Sequence, residues 1–186
     1  MPKLSVVIAS TRPGRVGLPV GRWFFERAKA HGKFDVELLD LKEQNLPLLD
    51  EPKHPRFQQY EHEHTKAWSA KVRASDAFVF VTPEYNYGAP PSLINALDYL
   101  VHEWACKPAG FVSYGGASGG MRSVQMTKLV LTSLKIMPLP EAVAIPFVAK
   151  MIEAGKFVGT DVLEKAAAAM LDEVHRWAVA LAPMRA

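Results

Sequence analysis

Apolar runs along the chain alternate with segments in which apolar positions recur every three or four residues. Residues 4–9 (Leu4 to Ala9) form a short β-branched run with no polar face, the pattern of a strand buried on both sides. Residues 16–31 place Val20, Trp23, Phe24 and Ala28 at helical spacing and stop at Gly32. Residues 34–40 alternate apolar and polar, which predicts a strand nearer the sheet edge. Prolines and charges dominate 42–55, a surface loop, and a polar helix over 56–74 carries Phe57, Tyr60, Ala67 and Trp68. Residues 77–81 (Ala-Phe-Val-Phe-Val) are the most apolar run and the candidate central strand. Then follow a helix over 91–101, with Leu93, Leu97 and Leu100 on one face, and a strand over 108–114. A helix is expected over 118–135, a strand over 142–148, a surface segment over 149–160 and a long helix over 161–181. Five strands alternating with five helices imply βαβ units, hence an α/β sandwich with a parallel sheet covered on both faces.

The length of 186 residues suits one domain, 1–186, and 49% hydrophobic content suffices for a sizeable core. No apolar run is long enough to span a bilayer, and the amino terminus enters the first strand without a signal-peptide pattern. One cysteine, Cys106, excludes an internal disulfide and a CxxC pair, which suits a reducing, cytoplasmic location. The net charge of +3 is unevenly placed. Residues 1–33 hold seven basic residues (Lys3, Arg12, Arg15, Arg22, Arg27, Lys29 and Lys33) against Glu26 alone, so they carry +6 and the remainder −3. That local field favours an anion. Nucleic acid is not expected, because no long basic stripe is interleaved with aromatics. Arg22, Arg27 and Lys29 also suit a solvated helix face.

Three loops at the carboxyl ends of strands carry the candidate chemistry. In the first, residues 9–17, Ser10 and Thr11 offer hydroxyl donors, and Arg12 or Arg15 can grip phosphate oxygens. Gly14 and Gly17 permit close backbone approach, and the helix beginning near Val16 presents free N–H groups and a positive dipole end. The loop matches neither GxxxxGK[ST] nor GxGxxG, which argues against an ATP P-loop or a dinucleotide fingerprint. In the second loop, residues 82–88, Pro83 stiffens the chain, Glu84 follows it, Tyr85 and Tyr87 offer flat faces, and Asn86 offers a donor and an acceptor. The same residues also suit a hairpin-like turn with exposed tyrosines. In the third, Tyr114 is followed by Gly115 and Gly116 in a glycine-rich stretch to Gly120, able to turn backbone N–H groups into a site or simply to make a tight turn. A phosphate seat beside an edge for a flat polar ring suits flavin mononucleotide (FMN).

Three motifs resemble the NADPH-dependent FMN reductase family, which includes bacterial chromate and quinone reductases and small azoreductases. They are Ser10-Thr11-Arg12-Pro13-Gly14-Arg15, then Pro83-Glu84-Tyr85-Asn86 with residues 93–98 (Leu-Ile-Asn-Ala-Leu-Asp), and Tyr114-Gly115-Gly116. They lie within residues 4–125. The resemblance implies a flavodoxin-like three-layer sandwich with a five-stranded parallel sheet of order 2-1-3-4-5. It implies FMN as cofactor and NADPH or NADH as co-substrate. Electrons would pass by ping-pong hydride transfer to a small-molecule acceptor such as a quinone, an azo compound or a metal oxyanion. It places the FMN phosphate on Ser10, Arg12, Val16 and Gly17, and the ring against Pro83, Glu84, Tyr85 and Asn86, with Gly115 and Gly116 at its far edge. Many relatives carry serine and asparagine after the arginine, where this chain has Arg15, Val16 and Gly17. A homodimer or homotetramer, using the helix after the second motif, is also implied. No side chain is expected to act as nucleophile or base, since the flavin supplies the chemistry.

Other features read as structural. Glu61-His62-Glu63-His64 suggests metal ligands, but residues two apart on a helix diverge, so a solvated face is expected. His54, His102 and His175 have no evident partners, and Cys106 suits the core or a turn. Trp23, Trp68 and Trp177 suit helix faces, and Trp104 is a candidate wall of a substrate pocket. Ser118 lacks the partners of a hydrolase triad. The alternatives are a flavodoxin-type electron carrier, a flavin-dependent redox-sensing binding protein and a phosphate-binding module without flavin. The basic charge argues against the carrier, a group usually acidic.

Overall fold

The computed structural model describes residues 1–185. Strands β1 (Lys3–Ile8), β2 (Asp35–Asp40), β3 (Ala77–Pro83), β4 (Pro108–Tyr114) and β5 (Met137–Ile145) form one sheet of order β2-β1-β3-β4-β5. Every neighbouring pair is parallel. The helices are α1 (Gly17–His31), α2 (Leu41–Gln44), α3 (Glu63–Ala74), α4 (Pro91–Asp98), α5 (Met121–Ser133) and α6 (Asp161–Leu181). A two-stranded antiparallel hairpin, β6 (Ile152–Glu153) and β7 (Lys156–Phe157), lies within the segment expected to be surface loop. Among the described residues no helix is long and apolar enough to cross a membrane.

Every residue of β3 and β4 is buried, as a continuous apolar run between two helical layers requires. Successive strand residues face opposite layers. Val6, Val79, Val81 and Val112 pack with α1 and α6, whereas Val7, Phe78, Phe80 and Phe111 pack with α3, α4 and α5. Trp23 of α1 donates from Nε1 to Glu164 of α6 at 2.8 Å, tying the first layer together. Trp68 of α3 donates to the Ala96 carbonyl of α4 at 2.9 Å and ties the second.

Several boundaries differ from the sequence reading for identifiable reasons. β5 begins at Met137 rather than Ala142 and ends at Ile145 rather than Val148. Pro138 and Pro140 argue against a central strand, but β5 is an edge strand, where a missing N–H costs least. Its pairing with β4 jumps from Ala109↔Pro138 to Phe111↔Ala142, so the irregularity falls at the prolines. The helix expected over 56–74 starts only at Glu63, because a 3-10 turn at Pro55–Phe57 precedes it and Gln58 takes φ +52°. The segment expected as helix 91–101 is helical to Asp98, with a separate 3-10 turn at His102–Trp104. Trp104 does not wall a site. It is fully buried under the sheet, 4.9 Å from Phe78, and donates to the Leu97 carbonyl.

Candidate functional site

The first loop leaves β1 through Ser10, which is fully buried and shares a 2.7 Å hydrogen bond with the hydroxyl of Tyr85. The chain then turns, with Arg15 N–H donating to the Arg12 carbonyl at 3.2 Å and Gly14 at φ +68°. Helix α1 starts at Gly17 with no side-chain cap at Val16 and no acidic residue in its first turn. Its leading N–H groups are therefore uncapped, and the positive end of its dipole is not neutralised. Thr11 and Arg12 are exposed beside it.

Arg15 is differently placed. Its side chain is buried, and one guanidinium nitrogen pairs with Asp40 at the end of β2. Asp40 also accepts from the Lys42 amide at 3.0 Å and so caps α2. The Nε of Arg15 is buried without an acceptor among the described residues, and so is the hydroxyl of Tyr114. Burial, and then neighbouring Tyr85, push the Tyr114 phenol up, keeping it a neutral donor. The two buried donors lack acceptors, and each borders this loop: Arg15 belongs to it and Tyr114 lies against Gly17. With the uncapped helix end, this donor set fits a phosphate monoester.

The second loop is a tight turn. Tyr85 and Gly88 exchange two backbone hydrogen bonds at 3.0 and 2.9 Å, with Asn86 at φ +50° and Tyr87 at φ +70° between them. Consecutive positive φ values suit Asn and explain its place here. The turn sends Tyr85 inward to Ser10 and leaves Tyr87 69% exposed, with the Arg122 guanidinium 3.9 Å from its ring centre. Pro83 is buried and pairs in register with Tyr114, so the second and third loops leave the sheet side by side.

Glu84 braces those two loops. Its carboxylate accepts from Ser118 Oγ at 2.9 Å, Arg122 N–H at 3.2 Å and Arg122 Nε at 2.7 Å. Arg122 holds the Glu84 carboxyl below the ordinary carboxylate range despite its desolvation. In the third loop, Gly115 and Gly116 accept from Val148 and Phe147 and anchor the chain after β5. Gly120 has φ +83°, and a Cβ there would stand 2.7 Å from the Tyr114 amide nitrogen. Gly116 is exposed, with open space where a side chain would stand.

All the sequence-selected positions therefore gather at one edge of the sheet, with Ser10 joined to Tyr85 and Gly17 pressed on Tyr114. Tyr87 stands at the rim. Three participants went unrecognised: Asp40, Arg122 and the bracing role of Ser118. A charged residue ending a strand was the one sequence signal for Asp40, and nothing marked Arg122. Elsewhere, His62 and His64 stack at 5.2 Å, and His64 meets Asp50 at 3.0 Å. Among the described residues no group of three or more His, Cys, Asp or Glu could hold a metal ion.

A methyl group at Gly17 would overlap the Tyr114 hydroxyl and stand 3.2 Å from Cζ. Gly17→Ala should therefore cost about 1–3 kcal/mol in urea unfolding, and Tyr114→Phe in the same chain should recover part of it. No recovery would show that the contact is not the cause. Glu84 has a depressed folded pKa, so the stability it contributes is complete above its ordinary value of 4.5 and is lost as pH falls through the folded value. In acid unfolding curves Glu84→Gln should flatten that loss, and an unchanged slope would contradict the brace.

The profile of the NADPH-dependent FMN reductase family matches residues 2–150. The chain is 40% identical over 148 residues to an NAD(P)H-dependent FMN reductase of Schizosaccharomyces pombe, covering 78% of this chain and 74% of that one. It is 31% identical over 147 residues to a quinone reductase of Pseudomonas putida, covering 75% of each. The solved structure of FerB, a flavoenzyme NAD(P)H:(acceptor) oxidoreductase from Paracoccus denitrificans, shares the fold with a TM-score of 0.77 at 21% identity, over 97% of this chain and 98% of that one. With the family profile covering all five strands of the main sheet and all three loops, this chain belongs to the NADPH-dependent FMN reductase family.

Proposed function

We propose that the chain is an NAD(P)H-dependent FMN oxidoreductase that reduces small acceptors such as quinones and azo compounds. The observation that carries the site is the uncapped amino end of α1 beside two buried donors without acceptors, Arg15 Nε and Tyr114 OH. The backbone N–H groups from Val16 onward, Ser10, Thr11 and Arg12 hold the phosphate. Arg15 serves two ends: Asp40 fixes one guanidinium nitrogen, and the buried Nε keeps an N–H with no acceptor among the described residues. Tyr85 and Asn86 frame the ring on one side, and the exposed Gly116 lets backbone approach its far edge. Tyr87 and Arg122 stand at the mouth, where an aromatic face and a cation suit a flat, electron-poor acceptor.

When bound, FMN accepts hydride from NAD(P)H and returns electrons to the acceptor. This chain's contribution is orientation. The brace of Glu84 on Ser118 and Arg122 fixes the two ring-side loops relative to each other. Holding two reactants in near-attack geometry supplies much of a bimolecular rate enhancement. A ping-pong order follows if one open face serves both substrates in turn.

The absorbance spectrum of purified protein incubated with FMN tests the reading. A bound flavin band that bleaches within seconds of adding excess NADPH, without a partner enzyme, supports the reductase. A protein that stays colourless after incubation overturns FMN binding, and a band that bleaches only with a second enzyme favours an electron carrier. We also place the working protein in the cytoplasm as a homodimer or homotetramer. The helix after the second motif, α4, is the proposed contact, and exposed Met121, Met126 and Leu129 on α5 add apolar surface that supports self-association. Sedimentation velocity should show twice or four times the 20.6 kDa chain mass, and a monomer at micromolar concentration would refute it.

A further inference from the structure

A cavity of about 410 Å³ adjoins the first loop on its β2 side. Its walls come from the loop (Thr11), from α2 and the turn after it (Leu41, Lys42, Asn45, Leu46), and from the start of α4 (Pro91, Ser92). Nothing assigned above to phosphate or ring occupies it, although Thr11 is a wall of both. Its chemistry is specific. Among the described residues no carboxylate lines it. Lys42 is exposed and forms no ion pair among the described residues, and Arg12 is exposed on the neighbouring loop. Leu41 gives a buried apolar wall, and Leu48 stands 81% exposed in the single chain. Asn45, at φ +47° after α2, has no side-chain hydrogen bond among the described residues, whereas the Asn95 amide bonds Pro47 and Leu49.

An apolar wall, this amide and this lysine, with no carboxylate among the described lining residues, make a site for a flat heterocycle carrying an added phosphate. We infer that this cavity receives the adenosine end of the reducing dinucleotide and that Lys42 recognises the 2′-phosphate that distinguishes NADPH from NADH. The inference rests on the NAD(P)H reading above. The cavity borders the first loop at Thr11, and the adjoining Ser10 is bonded to Tyr85, so a dinucleotide whose nicotinamide faces a ring near Tyr85 would have this cavity beside it. Lys42 then supplies positive charge where the dinucleotide's added phosphate arrives. The recognition is a point-charge contact with a dianion, which lysine makes without the bidentate geometry of arginine.

The test is Lys42→Ala compared with the parent protein. The ratio of kcat/KM for NADPH to that for NADH should fall about 10- to 100-fold, the loss expected for one charge-assisted contact. A second readout needs no turnover. In calorimetric titration, adenosine 2′,5′-bisphosphate should bind the parent FMN-loaded protein more tightly than 5′-AMP, and Lys42→Ala should abolish the difference. An unchanged cofactor ratio, or equal binding of the two nucleotides by the parent, overturns the inference. FMN titration by fluorescence quenching on both proteins separates the two levels of argument. Failure of the parent to bind FMN refutes the function proposed above. An intact FMN affinity with no 2′-phosphate discrimination refutes this subsite alone.

Discussion

Parallel strands deliver all their carboxyl ends to one edge of a sheet, so what happens there depends on which way each connection departs. β1 lies between β2 and β3. The chain leaving β1 enters α1 on one face of the sheet, and the chain leaving β3 enters α4 on the other. Two neighbouring strands with connections diverging to opposite faces open a crevice between their loops. The adjacency is maintained by burial. Val6, Val7 and Ile8 of β1 and Phe78 to Val81 of β3 are essentially inaccessible to solvent, and their register runs unbroken from Leu4↔Ala77 to Ile8↔Val81. A slip of either strand by one residue would turn its valines and phenylalanines to the wrong layers.

The loops around that crevice support one another. Ser10 meets Tyr85 across it, Glu84 draws Ser118 and Arg122 toward the second loop, and Tyr114 sits under the start of α1. Donors fixed in this way would lower the conformational entropy lost if a ligand bound there. Arg15 shows the same economy. Its pairing with Asp40 joins the first loop to the end of β2, and it leaves one buried N–H unsatisfied where an anion is expected. A buried donor without a protein acceptor is costly, and an anion accepting from it would offset that cost.

The five strands and their parallel arrangement were legible because long apolar runs bounded by turn residues have few other solutions. Phe78 and Phe80 could only be core. Boundaries were less legible where local propensity and tertiary context disagree. Pro138 and Pro140 suppress a strand reading, yet an edge position tolerates them. Residues 56–62 look helical in composition, but Pro55 and Gln58 at φ +52° divert the chain before α3. Trp104 illustrates a different difficulty. Proximity in sequence to the second loop suggested the site, whereas the chain doubles back after α4 and buries the indole beneath the sheet.

The identity of the three loops was written in local sequence. Hydroxyls, arginines and glycines after one strand, and Pro-Glu-Tyr-Asn after another, carry their chemistry wherever they lie. How those groups divide their work was decided by three-dimensional packing. Arg15 is claimed by Asp40 from 25 residues away, Glu84 by Ser118 and Arg122, and Gly17 by a tyrosine from another strand. Such pairings depend on which strands become neighbours. No local pattern records that choice, because it is made by the burial of the whole sheet between its two helical layers.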